Sequence, residues 1–140
     1  MTFREKTHWV TLVVMIAAFG WFFIHSHMVL PRGPEHLAAS GGLLIISTVG
    51  IIIAMSIIIG FIAARNPGEA HASADERDRS IHWRGTHYAY YPAVIGMWLC
   101  VWLIFSGYDR VTLLYSLLGV VVFSELIRIG AQLWLYRREG

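Results

Sequence analysis

The chain has 140 residues, of which 56% are hydrophobic and only 14% are charged. Soluble domains average about 45–50% apolar and about 25% charged residues, and a domain of about 150 residues buries only about 70% of its surface, so this composition indicates a membrane protein. The net charge of +2 is small and the basic residues flank apolar runs. This pattern excludes nucleic acid as a partner and makes the lipid bilayer the expected one.

Four apolar stretches are each long enough to cross a bilayer, which takes about 20 mostly apolar residues in a helix. None alternates polar and apolar residues, so helices are expected rather than strands of a barrel. The first stretch exceeds the apolar part of a signal peptide, about 7–15 residues, and we expect it to be a span of the mature protein. The sequence thus predicts an all-α membrane protein with a single domain, 1–140, and spans at residues 9–30, 37–64, 88–107 and 111–136.

The loops and their charges predict the topology. Short loops join spans 1 and 2 and spans 3 and 4, whereas residues 65–87 form a long connection, so two helical hairpins are expected. Eight Lys and Arg residues fall on one predicted side and two, Arg32 and Arg110, on the other. Because cytoplasmic loops carry the excess of basic residues, both termini and the 65–87 segment are predicted to be cytoplasmic in a multi-pass protein of the bacterial inner membrane.

The segment before the third span is predicted to be an amphipathic helical extension of that span. Ser73 and Glu76 have the spacing of a capping box, which predicts a helix that begins at Ala74. Gly85 weakens the helix and Pro92 removes a backbone hydrogen bond, so we expect a bent helix in two parts.

The charges of this segment have two interpretations. They solvate one face of the helix, since exposed ion pairs contribute only about 0–1 kcal/mol each, or they form a docking surface for a protein partner. The candidate docking residues are Asp75, Glu76, Arg77, Asp78, Arg79 and Arg84. The tyrosines that follow, Tyr88, Tyr90 and Tyr91, are predicted to form an aromatic belt at the membrane interface.

The fourth span contains an intramembrane polar stripe. Glu125 and Arg128 lie three residues apart and therefore share a helix face, which Gln132 extends by one turn. Charges at this depth cost about 2.5–3.5 kcal/mol each and usually pair or line a water path. The stripe has three interpretations: an ion pair that fixes the fourth helix against the third, a site in which Glu125 responds to protons or a ligand, or charged side chains that snorkel toward the membrane interface.

Two further patterns lie in the first hairpin. Four weak candidates for metal ligands occur near its outer end, His25, His27, Glu35 and His36, but on a helix His25 and His27 point about 200° apart, so no metal site and no cofactor are predicted. The second span repeats small residues every four positions, at Gly50 and Ala54 and at Ser56, Gly60 and Ala64. This spacing favours packing against a neighbouring helix or against a second copy in a homo-oligomer.

The second half of the chain resembles a family. The run ADERDRSIHWRGTHYAYY at 74–91 and the closing SELIRIGAQLWLYRREG at 124–140 resemble small bacterial four-helix integral membrane proteins of unknown function with a cytoplasmic Asp-Glu-Arg-Asp motif. Such proteins look like companions of small helix-turn-helix regulators, which favours a regulatory partner. The matching residues are Asp75, Glu76, Arg77, Asp78, Tyr90, Tyr91, Glu125 and Arg128.

No motif indicates catalysis. The sequence has no G-x-S-x-G, no H-E-x-x-H and no phosphate-binding glycine loop, so no enzyme activity and no catalytic residue are predicted. The leading hypothesis is a small accessory or regulatory membrane protein that presents its charged cytoplasmic helix to a protein partner. The alternatives are an oligomeric small transporter or channel component that uses Glu125 as a coupling carboxylate, and a structural subunit of a larger membrane complex.

Overall fold

The structure, a computed structural model, describes residues 3–28, 35–65, 67–68 and 75–138. It contains four long helices: α1 (Phe3–Met28), α2 (His36–Arg65), α3 (Glu76–Phe105) and α4 (Arg110–Arg138). Each is long and apolar enough to cross a membrane, which confirms the predicted all-α class and the number of span-length helices.

Helix α4 contacts all three other helices. Its most extensive contact is with α3, α1 packs against both α2 and α4, and α2 touches α4 over a small area. Gly85 of α3 lies beside Gln132, and Gly96 lies beside Val120, so the two helices run antiparallel. Because α1 packs against α4, the first and the last of the four helices are neighbours.

Helix α3 begins later than the sequence predicted. Asp75 is its N-cap, in an extended backbone conformation, and the Asp75 carboxylate accepts a hydrogen bond from the N–H of Glu76 at 2.7 Å. Asp caps a helix as well as Ser does and also places a negative charge at the positive end of the helix dipole. The predicted cap at Ser73 was wrong. Ser73 and Ala74 lie outside the described residues.

Helix α3 is also one continuous helix, where a bent helix in two parts was predicted, and a bend at Pro92 stays a prediction. It continues without interruption through Gly85 and Pro92. Pro92 removes a single hydrogen bond, and such a loss is tolerated where a neighbouring helix supports the backbone on both sides. Gly85 and Gly96 both contact α4, one before and one after Pro92, so α4 provides that support.

The turn between α3 and α4 is specified by one glycine. Gly107 has a φ of +77°, a left-handed conformation that glycine adopts without steric cost. The N–H of Gly107 donates to the carbonyl of Ile104 at 3.1 Å, and the N–H of Tyr108 donates to that of Leu103 at 3.2 Å. This pair of bonds is a Schellman motif, which ends α3 and reverses the chain.

Asp109 then starts α4. Its carboxylate accepts hydrogen bonds from the N–H groups of Val111 at 3.1 Å and Thr112 at 3.3 Å, and from the Thr112 hydroxyl. These bonds, with the hydroxyl of Thr112 as the largest cause, hold the pKa of Asp109 below its ordinary value. Because the ionised form is the better acceptor, the cap stabilises α4 above the ordinary pKa and is lost as the pH falls through the lowered one.

The outer faces of α1 and α2 are apolar. A far smaller share of their residues is buried than in α3 and α4. Large side chains such as Ile16, Ile45, Ile52 and Ile57 are more than half exposed. Large contiguous apolar patches are rare on monomeric soluble proteins.

The small residues of α2 are only partly packed within the chain. Gly50 and Ala54 line an apolar groove of about 460 Å³ between α1 and α2. A Cβ atom added at Gly60 would meet no atom within 4 Å, and Ser56 and Ala64 are exposed. Packing of this second group against another copy therefore stays a prediction.

The contact between Gly96 and Val120 gives a first prediction. A Cβ atom at Gly96 would lie 2.5 Å from both γ-methyl groups of Val120, so Gly96→Ala should destabilise the chain by about 1–3 kcal/mol, measured as detergent-solubilised thermal unfolding. Gly130→Ala, where the added methyl group meets no atom within 4 Å, is the control and should not destabilise. The double variant Gly96→Ala/Val120→Ala should recover most of the loss, and equal melting of Gly96→Ala and the parent would contradict this close approach.

The Asp109 cap gives a second prediction. Thr112→Val removes the hydroxyl donor and keeps the side-chain shape, so the pKa of Asp109 should rise towards the ordinary aspartate value in a carboxyl NMR titration. Thr86→Val, which removes a hydroxyl bonded to the carbonyl of His82 on α3, is the control and should leave the Asp109 titration unchanged. The same Asp109 midpoint in the parent and in Thr112→Val would show that the hydroxyl bond does not hold the carboxylate.

Candidate functional site

The start of α1, the start of α3 and the end of α4 meet at an arginine-rich end of the bundle. The Asp78 carboxylate pairs with Arg4, Nε to Oδ2 at 3.1 Å, and accepts a hydrogen bond from the Tyr136 hydroxyl at 2.9 Å. Arg77 donates to the backbone carbonyl of Tyr136 at 3.3 Å. We call Arg4, Arg77, Asp78 and Tyr136 the Asp78 brace, since they connect three helices.

Apolar packing supports the Asp78 brace from the inside. Ile81, Leu135 and Tyr136 form a buried cluster directly below it, with Ile81 fully enclosed. The rings of His8 and Tyr136 lie 5.7 Å apart, which adds a contact from α1. The Tyr136 side chain is thus positioned by apolar contacts on one side while its hydroxyl reaches Asp78.

The candidate docking residues fall into two groups, those that bind within the chain and those that are exposed. Asp75 caps its own helix, while Arg77 and Asp78 belong to the Asp78 brace. The side chains of Glu76, Arg79 and Arg84 are exposed. A partner surface at the start of α3 would therefore be built mainly on these exposed charges, with Asp78 in a structural role.

The polar stripe of Glu125, Arg128 and Gln132 is formed as its spacing predicts. Arg128 donates from Nε to Glu125 Oε2 at 2.9 Å and from Nη2 to Glu125 Oε1, so both carboxylate oxygens are engaged. A third bond joins Arg128 Nη1 to Gln132 Oε1 at 3.4 Å. The side chains of Glu125 and Arg128 are 36% and 26% exposed, so the pair lies at the edge of the α3–α4 contact.

Gln132 connects the polar stripe to α3. Its side chain is fully buried, and its Nε2 lies 3.4 Å from Nδ1 of His82. Gly85 makes room for it, because a Cβ atom there would overlap with the Gln132 side chain. Neither His82 nor Gly85 was among the predicted site residues, although their three-residue spacing places both on the same face of α3.

The paired geometry bears on the chemistry of Glu125. Both carboxylate oxygens of Glu125 accept hydrogen bonds from one guanidinium group, and the pair as a whole is electrically neutral. Such a pair lowers the cost of placing charge within an apolar helix. This geometry favours the interpretation of the stripe as a link between α4 and α3.

At the opposite end a second polar contact joins α2 to α4. The hydroxyl groups of Ser40 and Tyr115 lie 2.7 Å apart, and the Tyr115 hydroxyl lies 3.1 Å from Nε2 of His36. The rings of Phe22 and Phe23 on α1 pack 6.1 and 6.4 Å from that of Tyr115. Sequence reasoning missed this cluster because Ser40 and Tyr115 are 75 residues apart.

The four weak metal-ligand candidates are not gathered into a site. His36 faces Tyr115, whereas Nδ1 of His25 lies 3.1 Å from the carbonyl of Trp21. His27 and Glu35 are exposed. Among the residues that the structure describes, no three His, Cys, Asp or Glu side chains lie close enough together to hold a metal ion.

The three tyrosines of the predicted belt project outward from α3. Tyr88, Tyr90 and Tyr91 are all about half exposed or more, while Ala89 between them is buried. The Tyr91 hydroxyl lies 3.2 Å from Nε2 of His87, which orients the ring along the helix surface. An aromatic belt at a membrane interface requires tyrosines that project outward in this way. That these tyrosines lie at a membrane interface stays a prediction.

Comparison with protein-family models, with curated proteins and with solved structures finds no match for this chain. The resemblance to small four-helix membrane proteins with an Asp-Glu-Arg-Asp motif therefore stays a hypothesis carried by the quoted residues.

The Glu125–Arg128 pair gives a third prediction. Glu125→Ala leaves Arg128 without its carboxylate within an apolar helix, so the free energy of unfolding should fall by about 1–2 kcal/mol and less folded protein should be recovered. Expression level and melting in detergent are the measurements. Glu125→Ala/Arg128→Met removes both charges and should melt closer to the parent. If Glu125→Ala alone is recovered and melts like the parent, the pair is not structural.

Proposed function

We propose that the chain is a multi-pass protein of the bacterial inner membrane, with four spans in two hairpins and both termini in the cytoplasm. The four span-length helices and the apolar faces of α1 and α2 support this placement. The orientation is supported by the clustering of Arg4, Arg77 and Arg137 with the start of α3 at one end, since basic residues accumulate on the cytoplasmic side.

We further propose that the protein is an accessory or regulatory membrane protein that presents the start of α3 to a protein partner. The observation that carries this proposal is the Asp78 brace, which fixes the first turn of α3 to α1 and α4. A helix start held in this way offers Glu76 and Arg79 in a defined orientation, which reduces the entropy cost of binding. The resemblance to proteins that accompany small regulators points to the same class of partner.

Two alternatives have less support. A transporter or channel component that uses Glu125 as a coupling carboxylate would need that carboxylate to be available to its substrate, whereas both of its oxygens are engaged by Arg128. A structural subunit or a homo-oligomer is supported by the exposed apolar faces of α1 and α2 and by the exposed small residues of α2. An accessory protein that is itself oligomeric accommodates this last observation.

The fourth prediction tests the partner surface. Glu76→Gln/Arg79→Gln removes one charge of each sign from the start of α3 and leaves the Asp78 brace intact. Full-length tagged protein is purified in mild detergent, and its associated proteins are compared by quantitative mass spectrometry. A partner that depends on this surface should be recovered about tenfold less with the variant than with the parent, as expected when charged contacts at an interface are removed.

The matched control is Glu35→Gln/Arg65→Gln, which removes the same charges from the two ends of α2. The partner should be retained by this control. Asp78→Asn, which weakens the Asp78 brace and leaves Glu76 and Arg79 in place, should reduce recovery of the same partner. An identical set of associated proteins for the parent and Glu76→Gln/Arg79→Gln would refute a docking role for the start of α3.

A further inference from the structure

The side chain of His82 lies where the polar stripe of α4 meets α3. It is exposed, and its Nδ1 atom lies 3.4 Å from Nε2 of the fully buried Gln132. At the other end of the same amide, Gln132 Oε1 accepts a hydrogen bond from Arg128 Nη1 at 3.4 Å. The Gln132 amide therefore lies between a histidine that is open to solvent and an arginine that is paired with Glu125.

The Arg128 guanidinium fixes the orientation of the Gln132 amide. An arginine side chain carries only N–H donors, so the amide oxygen must face Arg128, and the amide NH₂ group must then face His82. The amide is closely held, because a Cβ atom at Gly85 would lie 3.1 Å from both Cδ and Nε2 of Gln132. A reversed amide would place its NH₂ group against the guanidinium, with no acceptor between them.

This orientation determines where His82 carries its proton. Since the Gln132 NH₂ group donates, Nδ1 of His82 must accept, which requires a neutral imidazole with its proton on Nε2. In an imidazolium both ring nitrogens carry a proton, so an N–H group of His82 would face an N–H group of Gln132. The amide can face an imidazolium only with its oxygen, and it then loses the bond from Arg128.

Charged and titratable groups of three helices are packed near His82. On its own helix Asp78 and Arg79 lie four and three residues before it, and the others are Glu125, Arg128 and Tyr136 on α4 and Arg4 and His8 on α1. Asp78 is paired with Arg4, and Glu125 is paired with Arg128, so both carboxylates already have a cationic partner. An imidazolium at His82 therefore adds positive charge on the side of Gln132 opposite Arg128.

We propose that His82 is a proton-binding switch, in which a proton added at Nδ1 reverses the Gln132 amide and releases Arg128 from Gln132. Histidine gains its charge between about pH 5 and 8, and the exposed ring takes the proton directly from solvent. The buried part of the polar stripe thereby responds to the pH at the surface of the bundle. This role goes beyond the presentation of α3 and does not depend on a protein partner.

The fifth prediction follows three groups in one NMR titration of the full-length parent in detergent, over about pH 5 to 8. The ring nitrogens of His82, the side-chain amide of Gln132 and the Nε–H of Arg128 are observed after selective ¹⁵N labelling. All three should shift with one common midpoint, because one proton controls all three. A His82 ring that titrates while the other two signals stay fixed would overturn the switch, as would a ring that keeps one protonation state throughout.

The matched control is His87→Gln. His87 is also exposed on α3, but its Nε2 lies 3.2 Å from the hydroxyl of Tyr91 on the same helix. This control should retain the coupled shifts of Gln132 and Arg128. His82→Gln, which keeps a polar side chain that takes up no proton in this range, should abolish them. Coupled shifts that persist in His82→Gln would assign the response to another group and overturn the proposal.

A second variant, Gln132→Met, separates the amide from a direct effect of charge. Methionine has a similar length and no amide, so the Arg128 signal should no longer follow the titration of His82. An Arg128 signal that still follows it would show that the imidazolium charge acts on Arg128 directly, and the role of Gln132 would be refuted. The titration of the parent uses the unaltered chain, so it decides the proposal if Gln132→Met does not fold.

Discussion

The close approach of α3 to α4 is the constraint on which the remaining contacts depend. At Gly85 and Gly96 the surface of α3 lacks a side chain at the points where Gln132 and Val120 of α4 project. Between helices in a bilayer, where no hydrophobic driving force acts, such packing is a main source of association. The buried Gln132, its contact with His82 and the meeting of Asp78 with Tyr136 all require this spacing.

Polar side chains lie along the antiparallel α3–α4 pair, and most of them have a hydrogen-bond or ion-pair partner. Glu125 and Arg128 form a neutral ion pair. Arg128 also donates to Gln132, and Gln132 in turn contacts His82 on α3. Asp78 engages Arg4 and Tyr136 at one end. Because an unsatisfied polar group in an apolar environment costs free energy, these bonds specify the rotation of α4 about its axis as well as its position.

The elements were predictable from the sequence because they depend on local patterns. Runs of about 20 apolar residues identify four long helices, and the three-residue spacing of Glu125 and Arg128 predicts that they share a face. The contacts between helices were not predictable. Asp78 and Tyr136 are 58 residues apart, and Gln132 and His82 are 50 apart, so no local pattern relates them. The same limit explains why α3 was predicted in two parts, since the neighbouring helix decides whether a helix continues through a proline. The helix start was predicted too early because Ser73 and Asp75 are equally good caps.

The position of the brace partners along the chain has a consequence for the order of folding. Arg4 lies near the start of the chain, whereas Tyr136 lies near its end, and Tyr115 and Ser40 are similarly separated. A chain is made from its N-terminus, so α1 and α2 exist before any residue of α4 that contacts them. When α1 and α2 have been made, the surfaces that they present to α4 have no partner until α4 follows. The contacts of α4 with both helices can therefore form only after all four helices have been made.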